Sequence, residues 1–271
     1  ETVRQEIRPQ KDQTFRPVRS LLRLGMPALA VLAAIGCSKE MSREDGGHVL
    51  RLRFVPMANG EPLVMDKPYV NAFGEDYRVG TFKVYITNIA LSDGSLAPVS
   101  SAPDCFHLLD ASQPGTLVFD HRMNGKPFTG ILLQFGIDSI RNVSGAQTGA
   151  LDPMNGMFWT WSTGYINAKL EGASTFSTNP DGRFVYHIGG FAGEERTQRS
   201  VSLELPGSDA WTLDKTGISE ATVLIDVDRW FQWEHDLPVS RLPVSMTAGP
   251  TATRYADNIA GMFELESMER K

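Results

Sequence analysis

Beyond its carboxylates, the chain offers chemistry through five histidines, two cysteines and five tryptophans. The histidines are His48, His107, His121, His187 and His235. No HExxH helix motif, zinc-type cysteine pair, phosphate-binding loop, dinucleotide fingerprint or nucleophile elbow occurs. A bound metal would therefore draw its ligands from separated strands. Imidazole nitrogen suits copper and zinc, whereas thioether and thiolate favour Cu(I). His187 lies in Tyr186-His-Ile-Gly-Gly, where two glycines permit close backbone approach at a strand end. His235 follows Trp233 by two residues in Trp233-Glu-His-Asp, so on an extended segment the two side chains would share a face. His48 opens the first strand. His107 reads as a structural hydrogen-bonding residue, and His121 sits beside turn residues. An isolated histidine is more often structural than a ligand, and that ordinary reading applies to each of them at this point.

Two of the tryptophans, Trp159 and Trp161, stand side by side in Gly149–Gly172, GALDPMNGMFWTWSTGYINAKLEG. Asp152-Pro153 and Asn155-Gly156 supply turn chemistry, so the chain should reverse there. Alternation then predicts a strand with Trp159, Trp161 and Tyr165 on one face and Phe158 and Ile166 on the other. Aromatic packing in a core hairpin is the plain explanation. A site that uses one of the rings chemically is the sharper one.

The surrounding elements are short. His48–Val55 alternates and predicts a first strand with one polar face. Val79–Leu91 predicts a long strand with Phe82, Val84 and Ile86 inward. Cys105–Leu109 and Thr116–Phe119 read as short strands, and Phe128–Ile137 as a central strand buried on both faces. Arg183–Ile188, Ser200–Leu205 and Ala221–Val227 complete the strand set. Asp228–Trp233 suggests a helical turn, and Arg254–Phe263 a C-terminal helix or a last strand. Asn59-Gly60 and Asn124-Gly125 each begin an Asn-Gly-x-Pro turn and predict shared turn chemistry. Many short strands with frequent turns predict an all-β fold, an antiparallel β-sandwich with a few short helical turns.

The block Asp152-Pro-x-Asn-Gly-Met-x-Trp-Thr-Trp-x-x-Gly-Tyr-Ile-x-x-Lys-Leu-Glu-Gly resembles the signature of the MbnP-like copper-binding family of bacterial envelope proteins. Further pieces fit in the same order: Lys83-Val-Tyr-Ile-Thr-Asn-Ile-Ala-Leu, His107-Leu-Leu-Asp, Phe135-Gly-Ile-Asp-Ser with Asn142 and Gly145, Tyr186-His-Ile-Gly-Gly, and Asn258-Ile-Ala-Gly-Met-Phe. The resemblance spans nearly the whole chain after residue 47. It implies a copper site near histidines, for which His187, His235 and His48 stand first. It also implies a tryptophan oxidisable to kynurenine, with Trp159, Trp161 and Trp233 as the positions to consider. That oxidation is attributed to a partner of the di-haem peroxidase type. Kynurenine would add an amine and a ketone where indole offers only an N–H donor.

Arg16, Arg19 and Arg23 precede an apolar run, Met26–Ile35, which is too short to span a bilayer as a mature helix. Ala34-Ile35-Gly36-Cys37 follows, so residues 1–36 resemble a removable lipoprotein signal, with Cys37 acylated as a membrane anchor. An ordinary export signal with an incidental cysteine is the alternative. Residues 37–47 then read as a tether, and 48–271 as one domain on the periplasmic side of the cell envelope. Residues 1–36 hold six basic and three acidic residues, so their removal takes the net charge from −6 to −9. An acidic surface argues against nucleic acid and other anionic partners. With Cys37 acylated, Cys105 cannot form an intrachain disulfide. It reads as a small buried hydrophobe, less often as a soft copper ligand.

The leading expectation is thus a copper-binding envelope lipoprotein that sequesters or delivers the ion and is not an enzyme. A metal-free module for carbohydrate or protein, with Trp159 and Trp161 exposed for stacking, is the alternative. A carboxylate pair drawn from Asp138, Asp152, Glu171, Asp226 and Asp228 would be needed for glycoside hydrolysis, and no spacing singles one out.

Overall fold

The computed structural model describes residues 47–95, 97–159, 164–207 and 209–271. Cys37, the first 46 residues as a whole and Trp161 lie outside these, and the lipidation and Trp161 expectations fall there. All described residues belong to one unit, Cys37–Lys271.

The elements are, in order, β1 (His48–Ala58), β2 (Glu61–Pro62), β3 (Pro68–Val70), β4 (Asp76–Ser92), β5 (Ser100–Asp110), β6 (Val118–Met123), β7 (Gly130–Phe135), α1 (Ser139–Val143), β8 (Ile166–Ala173), β9 (Arg183–Gly189), β10 (Arg199–Glu204), β11 (Ile218–Asp226), β12 (Val244–Ser245), α2 (Pro250–Ala260) and β13 (Phe263–Arg270). They form a β-sandwich-like pair of sheets. The smaller runs β13-β11-β1, with β2 and β6 also on β1; the larger runs β10-β7-β4-β8-β9-β12, with β3 and β5 also on β4. Most pairs are antiparallel. The sandwich is as expected, and within it β1–β11 and β9–β12 are parallel, so both sheets are mixed.

Period-two alternation builds the core. On β1, Leu50, Leu52 and Phe54 are buried. Arg51 and Arg53 take the other face and form two-pronged pairs with Asp120 and Glu220. On β4, a strand of 17 residues, Phe82, Val84 and Ile86 point into the same core. The first half of β4 pairs with β8 and the second half with β7. Tyr85, from the opposite face of β4, belongs to a second, smaller cluster with Ile137, Leu151, Met157, Trp159, Tyr165 and Ile166. Residues from the Trp159 block therefore cover the outer face of the larger sheet. Each large side chain buried there contributes about 1.5–3 kcal/mol of transfer free energy.

Two turn expectations separate. Asn59 and Gly60 have φ of 49° and 76°, the paired positive values of a tight hairpin turn. Asn124 and Gly125 do not have positive φ, so the echo in sequence is not an echo in geometry. Gly125 instead makes room for His48: a Cβ there would stand 2.3 Å from Nε2. The C-terminal segment is both of its alternatives in succession, α2 and then β13.

The strand expected to run from Phe158 onward is also corrected. Phe158 and Tyr165 form an isolated antiparallel bridge, and β8 begins only at Ile166. The Trp159 N–H donates to the Gly164 carbonyl at 3.2 Å, and that of Ile166 to Met157 at 2.9 Å. Gly164 adopts φ of 119°, and the next N–H, of Tyr165, donates to Asn142 Oδ1 at 2.7 Å. Asn142, on α1, thus holds the backbone at Tyr165, just before β8 begins.

Candidate functional site

Asp110, Lys83, Lys169 and His187 lie directly opposite one another across β5, β4, β8 and β9. Two adjacent lysines repel, and their surroundings offset this. Lys83 pairs with Asp110 at 2.9 Å. Its Nζ also donates to the Asn155 carbonyl at 3.3 Å, and Lys169 donates to that of Gly156 at 2.6 Å. The two ammonium groups thereby hold down the turn that precedes Trp159. At the end of the row His187 Nε2 meets Glu171 at 2.6 Å. A carboxylate only accepts, so Nε2 carries a proton. This bond is the main reason that the Glu171 carboxyl is held down at about 2.

The indole of Trp159, 4% exposed, packs on Gly189. Gly189 is two residues beyond His187 on β9, so indole and imidazole occupy the same outer face of the sheet. The glycine and the histidine of the Tyr-His-Ile-Gly-Gly segment thus do separate jobs, one making room and the other bonding.

His235 lies in the loop after Val227–Trp230, the short 3-10 helix that corresponds to the predicted turn. Its N–H donates to Asn258 Oδ1 at 2.9 Å, and Asn258 Nδ2 returns a bond to the His235 carbonyl at 2.8 Å. Asn258 is fully buried on α2, so the helix pins the loop. The preceding helix residue, Asp257, reaches His235 Nε2 at 3.1 Å and Arg199 Nε at 2.7 Å. Glu234, His235 and Asp257 form a group whose ligand atoms all lie within 4.8 Å of one another. Trp233 is 52% exposed, stacks beneath the Arg229 guanidinium at 4.4 Å and rests on Gly261.

The family model for MbnP matches residues 47–247. The chain belongs to the MbnP family. Among solved structures, it is similar to MbnP from Methylosinus trichosporium at 16% identity and a TM-score of 0.47, over 70% of this chain and 79% of that one. No curated protein matches. The matched span ends before α2, so in this MbnP-family chain Asp257 comes from beyond it.

The three histidines expected to converge take three different partners. His48 Nδ1 donates to the Asp214 carbonyl at 2.8 Å, and its Nε2 faces Gly125. Among the described residues, no group of three or more metal-ligating side chains contains two of His48, His187 and His235. Sequence reasoning missed Glu234 and Asp257. Their signal was adjacency, one beside His235 and the other beside Asn258 of the recognised C-terminal piece.

His107 and His121 meet Nε2 to Nε2 at 3.0 Å, and His107 stacks on Phe119 with centroids 3.6 Å apart. Burial pushes His107 down to about 3 and lowers His121. His107 also borders a cavity of about 380 Å³ with Lys83, Asp110, Phe119 and Asn155. Cys105, two residues before it, is half-buried.

The carboxylates considered for catalysis have other work. Asp138, Asp152 and Asp226 cap short helices. Asp228 accepts from Tyr77 and Asn59. Among the described residues no helix is long and apolar enough to cross a membrane.

Proposed function

We propose that this MbnP-family protein binds copper on the envelope side of a membrane and sequesters or passes on the ion, acting as a binder and not as an enzyme. The observation that carries the reading is the Glu234–His235–Asp257 group, with one imidazole and two carboxylates close enough to share an ion. The donor set fits Cu(II), which accepts nitrogen and oxygen ligands. Arg199 holds the Asp257 carboxylate in place beside His235. The group is partly open to solvent, which suits an ion that must enter and leave.

Trp233 is the tryptophan we assign to oxidation. It lies two residues from His235 and is half exposed, within reach of a di-haem peroxidase-type partner, whereas Trp159 is buried. The same burial weakens the sugar-stacking alternative, which needs Trp159 at the surface. Acylation at Cys37 would keep the domain at the membrane.

Metal analysis of the purified protein tests the reading. We expect about one tightly held Cu(II) per chain, lost in Glu234→Gln/His235→Gln and kept in His187→Gln. Equal, weak uptake by wild type and the double variant would overturn it. Intact mass of protein from its native host reads lipidation and tryptophan conversion together.

A further inference from the structure

We propose that His107 and His121 form a separate site for a monovalent d10 cation, Cu(I) or its analogue Ag(I), held between the two sheets. His107 belongs to β5 on the larger sheet and His121 to β6 on the smaller one. Their Nε2 atoms are 3.0 Å apart while the ring centroids are 5.0 Å apart, so each nitrogen occupies the side of its ring that faces the other. One Nε2 must carry a proton and donate to the lone pair of the other. That single proton is all that separates two converging imidazole donors.

The surroundings select the cation. Among the described residues no histidine, cysteine or carboxylate joins this pair in a group of three. Two neutral nitrogens without a carboxylate suit a singly charged ion that accepts few ligands, and fall short of the four that zinc takes. Met123, a buried thioether two residues past His121 on the same face of β6, keeps the environment soft. On binding, the bridging proton leaves Nε2 of the donor ring and the same ring is reprotonated at Nδ1. Both Nε2 lone pairs then face the cation, and the pair neither gains nor loses a proton. Bonds of about 2 Å place two opposed nitrogens about 4 Å apart, so the rings must part by about 1 Å. The cavity beside His107 gives that ring space to swing. The site shares no ligand with Glu234–His235–Asp257 and stands whether or not that group holds copper.

Silver avoids redox chemistry, so the test is an Ag(I) titration of the full purified protein followed by histidine 15N NMR, with Cu(I) chelator competition in parallel. Saturable perturbation of both Nε2 signals is expected. One equivalent should be lost in His107→Asn and in His121→Asn and retained in Glu234→Gln. Unmoved signals in the wild-type protein would overturn the site even if neither variant folds. Equal uptake by wild type and a folded His107→Asn would do so as well.

Discussion

Trp159 lies against the backbone of Gly189: a Cβ on the glycine would stand 2.7 Å from indole Cη2 and 2.6 Å from the Tyr165 carbonyl oxygen. One neighbour is a fully packed ring and the other is main chain, so neither can yield cheaply. Gly189→Ala should destabilise the fold by about 1–3 kcal/mol through overpacking. Thermal denaturation measures this, and tryptophan fluorescence should shift as the indole is displaced. A variant that melts with the wild type would show that the contact is slack.

Glu75 predicts a pH dependence. Its side chain is 3% exposed and accepts from the N–H groups of Val239 and Ser240 and from Asn71. Burial by itself would raise this carboxyl, but the donors from Ser240, Asn71 and Val239 together outweigh it and hold it below its ordinary value. A depressed carboxyl contributes stability above its unfolded pKa and loses it as pH falls through the folded one. Urea unfolding from about pH 6 down to about pH 3 should show a decline that is shallower in Glu75→Gln, which is also weaker at neutral pH. Parallel decline in both proteins would assign the acid sensitivity elsewhere.

His48 should prove structural. Its bond to the Asp214 carbonyl and its packing on Gly125 occupy both sides of the ring. His48→Ala should cost about 1 kcal/mol and leave copper stoichiometry unchanged. Loss of copper from a folded His48→Ala protein would restore it as a ligand.

Trp233 should carry any oxidative conversion. Peptide mapping of protein made in its native host should find kynurenine at that position, and Trp233→Phe should lack it while folding normally. The cation–π contact with Arg229 is worth only about 0.5–1 kcal/mol at an exposed site. Kynurenine found at Trp159 instead would mean that the buried indole is oxidised, and would move the redox site to the outer face of β9 beside His187.

Much of the fold was legible wherever local pattern and burial agree. Leu50, Leu52 and Phe54 on β1, and Phe82, Val84 and Ile86 on β4, follow simple alternation because one side of each strand faces the core. The Asn59–Gly60 turn was legible because it depends on its own two residues. Asn124–Gly125 uses the same letters, yet there the absence of a side chain serves His48 from another strand. The bridge between Phe158 and Tyr165 escaped because alternation does not say which residues pair across space.

From its sequence alone, this chain reveals most of its longer strands, several of its turns and its place in the MbnP family. These rest on side-chain periodicity, local backbone preference and a long ordered block of residues. Tertiary structure decided which polar groups meet: His187 with Glu171, His235 with Asp257 and Glu234, His107 with His121. Those meetings depend on the register of strands distant in the chain, on the packing of α2 against the His235 loop and on the stacking of one sheet over the other. Alternation assigns a residue to a face, but it does not say what that face will touch.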